Sequence, residues 1–499
     1  MNRAKYLFSS ILFIFLLSLS FSAAAQSIKY SDPNHDFDGF DNVKIVGQDK
    51  DGFFLLQSNL SLSHDRERVG FRTRRYKVSY FNQNLQAIWT KKIVAPTKSM
   101  AVEHVEFIKN KMLTVYSQSK GGDLTLHIQW IDTKQPEKET EGKTIVFDFG
   151  KSSGFSKSRL ILSKNQKKLA FVLTESNNNN EQVLHYAVLD LELNVLAQNK
   201  LKIADKEDRL LIFEYALSNN GDLLALADTY RKRKRGEEYR SESYKLLSVQ
   251  ANKNTLGTQT LEIDNRIIVR PRIKFNPLSN KGVLICLYYD KDLITQSGIY
   301  YTLINLETAE FENSKKISFE NNLHIRLITS EYDNEIRGLS DYKIHDVILR
   351  NDGGAVIVAE AAYESTYSYY DYFTNSYTQR TEYYFANIFL ASINADGTLD
   401  WYHVIKKSQY SRDDGGVYSS FVPMITSQEI LMLLNTQMDR SNEVMAYGMN
   451  NMGDDYQKLL LESKEHIRLL PTAGKQITAS SIVIPVLVKK KLALAKFEF

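Results

Sequence analysis

The residues whose types and spacing suit chemistry gather in one stretch. Between Tyr363 and Tyr384 stand Tyr363, Tyr367, Tyr369, Tyr370, Tyr372, Phe373, Tyr377, Tyr383 and Tyr384, with Asp371 and Arg380 among them. Aromatic rings present apolar faces and polar edges, which suit sugar rings and protein surfaces. Tyr367, Tyr369, Tyr370, Tyr372, Tyr377 and Arg380 are therefore the candidate ligand-binding residues. The competing reading is two extended strands whose tyrosines cover a neighbouring sheet.

Other patterns are weaker. Asn34, Asp36 and Asp38 place oxygen donors at alternate positions before Gly39, as a calcium loop does. The loop starts on Asn rather than Asp, and Ile45 stands where a bidentate Glu belongs, so an ordinary acidic loop is the better reading. No cofactor is expected, calcium being the one the pattern admits. Asp413 and Asp414 are paired carboxylates, but neighbours on an Asp-Asp-Gly-Gly turn point apart. The basic run Arg231 to Arg235 is followed by Glu237 and Glu238 and reads as a solvated loop tip. There is no Gly-x-Ser-x-Gly elbow, no His-Glu-x-x-His and no P-loop, and the nine histidines lack metal spacing. No catalytic constellation emerges.

The first 25 residues read as a secretory signal peptide. Arg3 and Lys5 precede the apolar stretch Tyr6 to Phe21, and Ala23-Ala24-Ala25 supplies the small residues before Gln26. The apolar run is short of the roughly 20 residues that span a bilayer. No Cys lies near the cleavage point, so a lipoprotein anchor is not expected. The expectation is an exported chain, periplasmic or at the cell surface, with no transmembrane segment after cleavage. Cys286 is the single cysteine, so no intramolecular disulfide forms and the fold rests on its core. Buried among apolar neighbours, it reads as a packing residue. Cleavage also takes two positive charges from a net +4. A near-neutral balance gives no electrostatic reason to expect nucleic acid as partner.

What positions the tyrosines is a repeat. Twenty-nine Tyr, 25 Phe and many short Val/Ile/Leu runs favour strands. A strand, a polar turn and a second strand recur, and the last apolar residues before the turns are Phe81, Ile131, Leu189, Val249, Ile304, Ile393 and Met449. Five of the six spacings fall between 50 and 60 residues, and the sixth, 89, holds two insertions, about 320–343 and 363–384. Asp-Gly and Asn-Gly turns at Asp51-Gly52, Asn220-Gly221 and Asp352-Gly353 mark a second hairpin per repeat. Four antiparallel strands per repeat, stacked around an axis, make a propeller blade. About three strands follow Glu462, and a segment near Ser27 to Tyr30 supplies the missing one. The expectation is an all-β single propeller over residues 26–499, eight blades favoured and seven the alternative, closed by N- and C-terminal strands sharing a blade.

The stretch Ala391-Ser-Ile-Asn-Ala-Asp-Gly-Thr-Leu-Asp-Trp401 resembles the docking motif of quinoprotein-type propellers, in which an Ala, a turn Gly and a Trp pack one blade onto the next. Trp89 keeps the spacing with Ser79 in place of the Ala and no Gly. The resemblance implies packing and no quinone site. The Ala-Ala-Ala-Gln cleavage region and the Asp-Gly repeats also resemble uncharacterised exported propeller-like proteins of Bacteroidota, which implies no activity. The leading expectation is a monomeric, non-enzymatic binding or scaffolding propeller that takes a protein or glycan through loops on one face. The alternative is a polysaccharide-acting hydrolase or lyase with carboxylates gathered at the central channel. An outer-membrane barrel is disfavoured by charges on both strand faces.

Overall fold

The computed structural model describes residues 27–33, 42–58, 75–120, 122–138, 142–148, 154–156, 158–176, 181–204, 208–231, 243–264, 266–276, 279, 281–290, 297–320, 323, 327, 342–373, 375–436, 442–463, 467–488 and 491–499. The expected signal peptide, the calcium-like pattern of Asn34, Asp36 and Asp38, residues 232–235 of the basic run and most of the 320–343 insertion lie outside them. No helix among the described residues is long and apolar enough to cross a membrane.

The strands form eight antiparallel sheets, an arrangement consistent with a propeller. In chain order, sheet 1 holds Asn42–Gln48, Gly52–Ser58, Tyr76–Asn82 and Ala87–Ile93, and sheet 2 holds Ala101–Ile108, Lys111–Lys120, Asp123–Ile131 and Lys143–Asp148. Sheet 3 opens with the short pieces Gly154–Phe155 and Arg159–Leu162, then runs through Lys168–Ser176, Gln182–Asp190 and Val195–Ala204. Sheet 4 comprises Asp208–Leu217, Leu223–Arg231, Ser243–Gln250 and Thr255–Leu261, and sheet 5 comprises Arg266–Phe275, Gly282–Asp290, Gly298–Ile304 and Phe311–Ser318. Sheet 6 has Tyr342–Leu349, Ala355–Asp371, Ser376–Ile393 and Leu399–Ile405, with Gln409–Arg412 added to the third. Sheet 7 has Val422–Ile425, Glu429–Asn435, Asn442–Asn450 and Asp455–Ser463.

Sheet 8 has Arg468–Leu469 and Lys475–Gln476 on Ser481–Val488, then Lys491–Glu498, and its outer strand is Ser27–Tyr30. That N-terminal strand pairs in register Ser27 to Glu498 through Tyr30 to Ala495. The three-strand remainder expected after Glu462 is thus completed by the segment that the sequence pointed to.

All seven register residues are the last or next-to-last residue of the third strand in sheets 1 to 7, and all are buried. Second and third strands are apolar on both faces because each sheet is covered on both sides. Eight hydrophobic clusters each join two sheets. Seven join consecutive sheets, and the eighth packs Val483, Leu492 and Leu494 of sheet 8 on Ile45, Phe53 and Phe81 of sheet 1. Each fully buried Leu, Ile or Phe contributes about 1.5–3 kcal/mol, so the core is spread around the molecule rather than concentrated.

A second device recurs at the turn between third and fourth strands. A side chain of one sheet donates to that turn in the next: Trp89 Nε1 to Thr133 O at 3.1 Å, Trp130 Nε1 to Leu191 O at 3.1 Å and Tyr186 Oη to Asn254 Oδ1 at 3.0 Å. Ser248 Oγ to Leu306 O at 2.6 Å and Trp401 Nε1 to Asn451 O at 3.2 Å continue the series. Lys496 Nζ of sheet 8 reaches Gln83 Oε1 of sheet 1 at 3.2 Å. Ala391 is buried against sheet 5 while Trp401 faces sheet 7, so the Ala-Gly-Trp stretch does the packing that its resemblance implied.

Four-stranded meanders sort their turns onto two ends. The first-to-second and third-to-fourth turns share one end and are short, with glycines at positive φ such as Gly221 (101°), Gly353 (91°) and Gly453 (87°). The second-to-third turns and the links between sheets share the other end. The tyrosine stretch and the 406–421 link belong to that second end.

Candidate functional site

The tyrosine stretch is a projecting hairpin. Strands 355–371 and 376–393 stay paired from Ala355 and Ile393 out to Asp371 and Ser376, with one register shift between Glu360 and Ala362. Strand 342–349 stops at Ala361, so beyond that residue the two strands leave the sheet together. Alternating Tyr, Ser and Thr favour extended backbone there without a core to bury them.

Directly opposed residues share a face, so the register divides the candidate residues. Tyr367 and Arg380 are opposite, and Tyr369 stands on the same face, as do Tyr363 opposite Tyr384 and Ser365 opposite Glu382. Tyr370 and Tyr377 oppose each other on the other face, and Tyr372 stands at the tip. The six expected residues therefore form two groups and a tip rather than one surface. The outer end of the hairpin covers no sheet: Tyr372, Phe373 and Tyr377 are 87%, 101% and 78% exposed.

The first face is organised by a residue that sequence reasoning missed. Glu382 accepts from the hydroxyls of Tyr367 at 3.1 Å, Tyr384 at 2.9 Å and Tyr410 at 2.6 Å, and from Arg412 Nε at 3.1 Å. The Tyr410 and Tyr384 hydroxyls hold its carboxyl below the usual range, while burial and that same carboxylate push the Tyr384 hydroxyl up. Tyr363 stacks on Tyr384 with centroids 4.6 Å apart, and Tyr384 meets Tyr410 at 5.0 Å. Arg380 lies 4.5 Å over the Tyr369 ring, and Arg412 lies 5.2 Å over Tyr410. Tyr410 and Arg412 come from Gln409–Arg412, which pairs with Glu382–Phe385. In the sequence they sit in a hydroxyl-rich link, and nothing local connects them to a strand some thirty residues earlier.

That link behaves as its Asp-Asp-Gly-Gly turn predicts. Asp413 Oδ1 accepts from Thr381 N, and Asp414 Oδ1 accepts from Ser411 Oγ and Gly416 N. The two carboxylates serve different partners.

The hairpin is rooted in a buried polar network. Glu360 and Lys407 form an ion pair at 2.6 Å, with side chains 0% and 3% exposed. Glu360 also accepts from Ser420 Oγ at 2.6 Å and meets His345 Nε2 at 2.9 Å. Lys407 donates to Gln409 Oε1 at 2.8 Å, and Gln409 Nε2 donates to Asn435 O at 2.6 Å. Asn435 Nδ2 donates to Leu469 O of sheet 8 at 3.1 Å. The network ties sheet 6 to sheets 7 and 8 where the hairpin departs. His345, an ordinary strand residue in the sequence, is the bulged residue between Ile344 and Asp346. One carboxylate thus gathers Ser420, His345 and Lys407 at the root of the hairpin.

Carboxylates on the innermost strands are matched with bases from adjacent sheets. Glu214 of sheet 4 meets Arg272 of sheet 5 at 3.1 Å, and Lys274 of sheet 5 meets Asp346 of sheet 6 at 3.1 Å. Glu106 on the first strand of sheet 2 keeps an exposed side chain, and desolvation by the surrounding protein raises its carboxyl against the opposing pull of Lys44 and Lys475. On the short-turn end a cleft of about 320 Å³ lies between sheets 1 and 2, lined by Asp49, Asp51, Lys111, Trp130 and Asp132 among others. No metal-ligating cluster occurs among the described residues. Asn34, Asp36 and Asp38 lie outside them.

No protein family matches the chain, and no curated protein matches it. Solved structures that overlap it include a prolyl endopeptidase studied for inter-domain dynamics, at TM-score 0.39 and 10% identity. That overlap covers 91% of this chain and 56% of the endopeptidase, so the chain spans little more than half its length. A Synechocystis apocarotenoid oxygenase mutant overlaps at TM-score 0.36 and 9% identity, covering 95% of this chain and 94% of that one. A PL25 ulvan lyase overlaps at TM-score 0.36 and 7% identity, covering 85% and 96%.

Proposed function

We propose that the chain is an exported, eight-bladed propeller, closed by its terminal strands, that recognises a protein through the tyrosine hairpin. The single observation behind this reading is the hairpin tip, where Tyr372, Phe373 and Tyr377 stand almost fully in water beyond the sheet. Exposed apolar groups of that size mark interaction surfaces, and Tyr with Arg is the pair most enriched at energetic centres of interfaces. The tip rings meet edge to face, Tyr370 with Tyr372 at 83° and with Tyr377 at 70°. That gives a knob suited to a partner's pocket rather than a flat platform for a sugar. The eight sheets and eight bridging clusters support the blade count. Residues 1–25 support export to the periplasm or cell surface.

The test is a pull-down with the mature protein and a Tyr372→Ser/Phe373→Ser/Tyr377→Ser variant. Loss of a captured protein, with the melting curve unchanged, is the expected result. Unchanged capture, or binding on a glycan array alone, would overturn the protein reading. The mature N-terminus, read by mass spectrometry after export, is expected at Gln26.

The channel-enzyme alternative draws on one observation, the raised carboxyl of Glu106 between Lys44 and Lys475. A raised acid suits proton donation to a leaving group, and cleavage of an anionic polysaccharide lost in Glu106→Gln would favour it.

A further inference from the structure

The hairpin has two edges, and they are treated differently. On the 376–393 side, Gln409–Arg412 pairs with Glu382–Phe385. Just beyond, Asp413 N donates to Thr381 O at 2.9 Å and Thr381 N donates to Asp413 Oδ1 at 2.8 Å. That edge is closed along its lower half. On the 355–371 side, strand 342–349 stops at Ala361, and among the described residues Glu364 to Tyr370 pair with nothing but their hairpin partner.

An edge strand with free backbone groups is a template for another strand, and proteins guard such edges with Lys, Pro or a bulge. Glu364-Ser-Thr-Tyr-Ser-Tyr-Tyr370 contains no Lys and no Pro, and its pairing runs without a register shift. Apart from Glu364 at its inner end, its residues are β-formers or small hydroxyl residues. From Ser365 to Tyr370 the edge carries no charge to resist strand addition.

We propose that this edge is a dimer interface in which Glu364 to Tyr370 pairs antiparallel with the same strand of a second copy, with Tyr367 facing Tyr367 on the two-fold axis. The proposal builds on the reading of the hairpin as a protein-contact element and names its partner, replacing the monomer that the sequence suggested.

The edge is compatible with its own copy. With Tyr367 at the centre, Glu364 faces Tyr370 of the second copy, Ser365 faces Tyr369 and Thr366 faces Ser368, so no like charges oppose each other. Aromatic cross-strand pairs and hydroxyl pairs are favourable neighbours in an antiparallel sheet. A two-fold interface needs this self-complementarity. Tyr367 stands five residues beyond Ala362, about 17 Å at 3.4 Å per residue, so the two sheets' roots lie about 34 Å apart at opposite ends of a four-stranded ribbon.

Sedimentation velocity on the mature protein tests this. The wild type is expected to be dimeric in the micromolar range. Tyr367→Lys and Tyr367→Glu each place like charges face to face, and each is expected to weaken dimerisation about tenfold or more, 1.4 kcal/mol corresponding to a factor of ten. A one-to-one mixture of the two variants restores the dimer, because opposite charges then meet. Tyr367 is exposed, so both variants keep the fold. A wild type that stays monomeric, or a dimer that both variants leave intact, overturns the proposal. A dimer lost in Tyr372→Ser/Phe373→Ser but kept in Tyr367→Lys also overturns it, moving self-association to the tip. Capture of a different protein by a monomeric wild type leaves the proposed function standing while this inference falls.

Discussion

Lys407 Nζ lies 2.6 Å from Oε1 of Glu360, and both side chains are sealed from water at the root of the tyrosine hairpin. Two charges removed from water hold each other only while both are present. Lys407→Met leaves a buried carboxylate with its Ser420 and His345 contacts alone, and the expected loss is about 3–5 kcal/mol. Glu360→Gln combined with Lys407→Met removes both charges and should recover a large part of that loss. Urea unfolding of the two variants measures the difference. A single variant within about 1 kcal/mol of wild type would mean that the pair is solvated and anchors nothing.

The turn latches make a second prediction. Trp401 donates to Asn451 O, and its ring lies against Gly453, whose φ is +87°. A Cβ at Gly453 would sit 3.0 Å from Trp401 Cγ. Gly453→Ala therefore combines a left-handed backbone cost of about 1–2 kcal/mol with displacement of the indole. Trp401→Phe keeps most of the packing and loses the hydrogen bond, about 1 kcal/mol. Thermal unfolding should rank Gly453→Ala below Trp401→Phe, and a neutral Gly453→Ala would remove the latch from the account of sheet 6 on sheet 7.

Cys286 lies on the second strand of sheet 5, fully buried among Leu226, Leu284 and Tyr300, and burial pushes its thiol above the usual range. Alkylation of the native protein should proceed only through unfolding, with a rate that rises in step with denaturant-induced opening. Fast labelling under native conditions would show that sheet 5 opens locally. Cys286→Val, close in volume, should cost less than about 1.5 kcal/mol.

The repeat was legible because each register residue is both the last apolar residue of a third strand and fixed by a polar turn, two local signals at one position. Phe81 and Ile393 show this well, and the same logic exposed the missing strand that Ser27–Tyr30 fills. The Ala-Gly-Trp stretch was legible for the same reason: Ala391, Gly397 and Trp401 are close in sequence although they face different sheets. The hairpin was visible as composition, yet its division into faces was not, because register beyond Ala362 depends on the shift at Glu360. Glu382 was missed since its partners Tyr367, Tyr384, Tyr410 and Arg412 come from three strands. His345, Glu360, Lys407 and Ser420 span 75 residues of chain and meet only through the fold.

The terminal strand carries the remaining prediction, and it is a pH effect. Ser27 Oγ donates to Glu498 Oε2 at 2.7 Å, and Lys496 Nζ lies 2.9 Å from Oε1. Lys496 and Ser27 hold the Glu498 carboxyl down to about 2, against 4.5 for an ordinary glutamate. A carboxyl depressed by folding stabilises the folded state above its unfolded value, and that contribution drains as pH falls through the window from about 4.5 to about 2. Glu498 is about one-third exposed, so solvent screening limits the contribution to about 1 kcal/mol. Glu498→Gln should lower stability modestly at neutral pH and flatten the stability curve within that window, relative to wild type. Deleting 27–31 removes the whole pairing with Lys491–Glu498 and uncovers Ile28's place on the sheet 7 and 8 cluster. In a closed ring that deletion should cost about 2 kcal/mol or more, from lost burial and unpaired strand groups. In an open array the end sheet would merely fray, and global unfolding would hardly move.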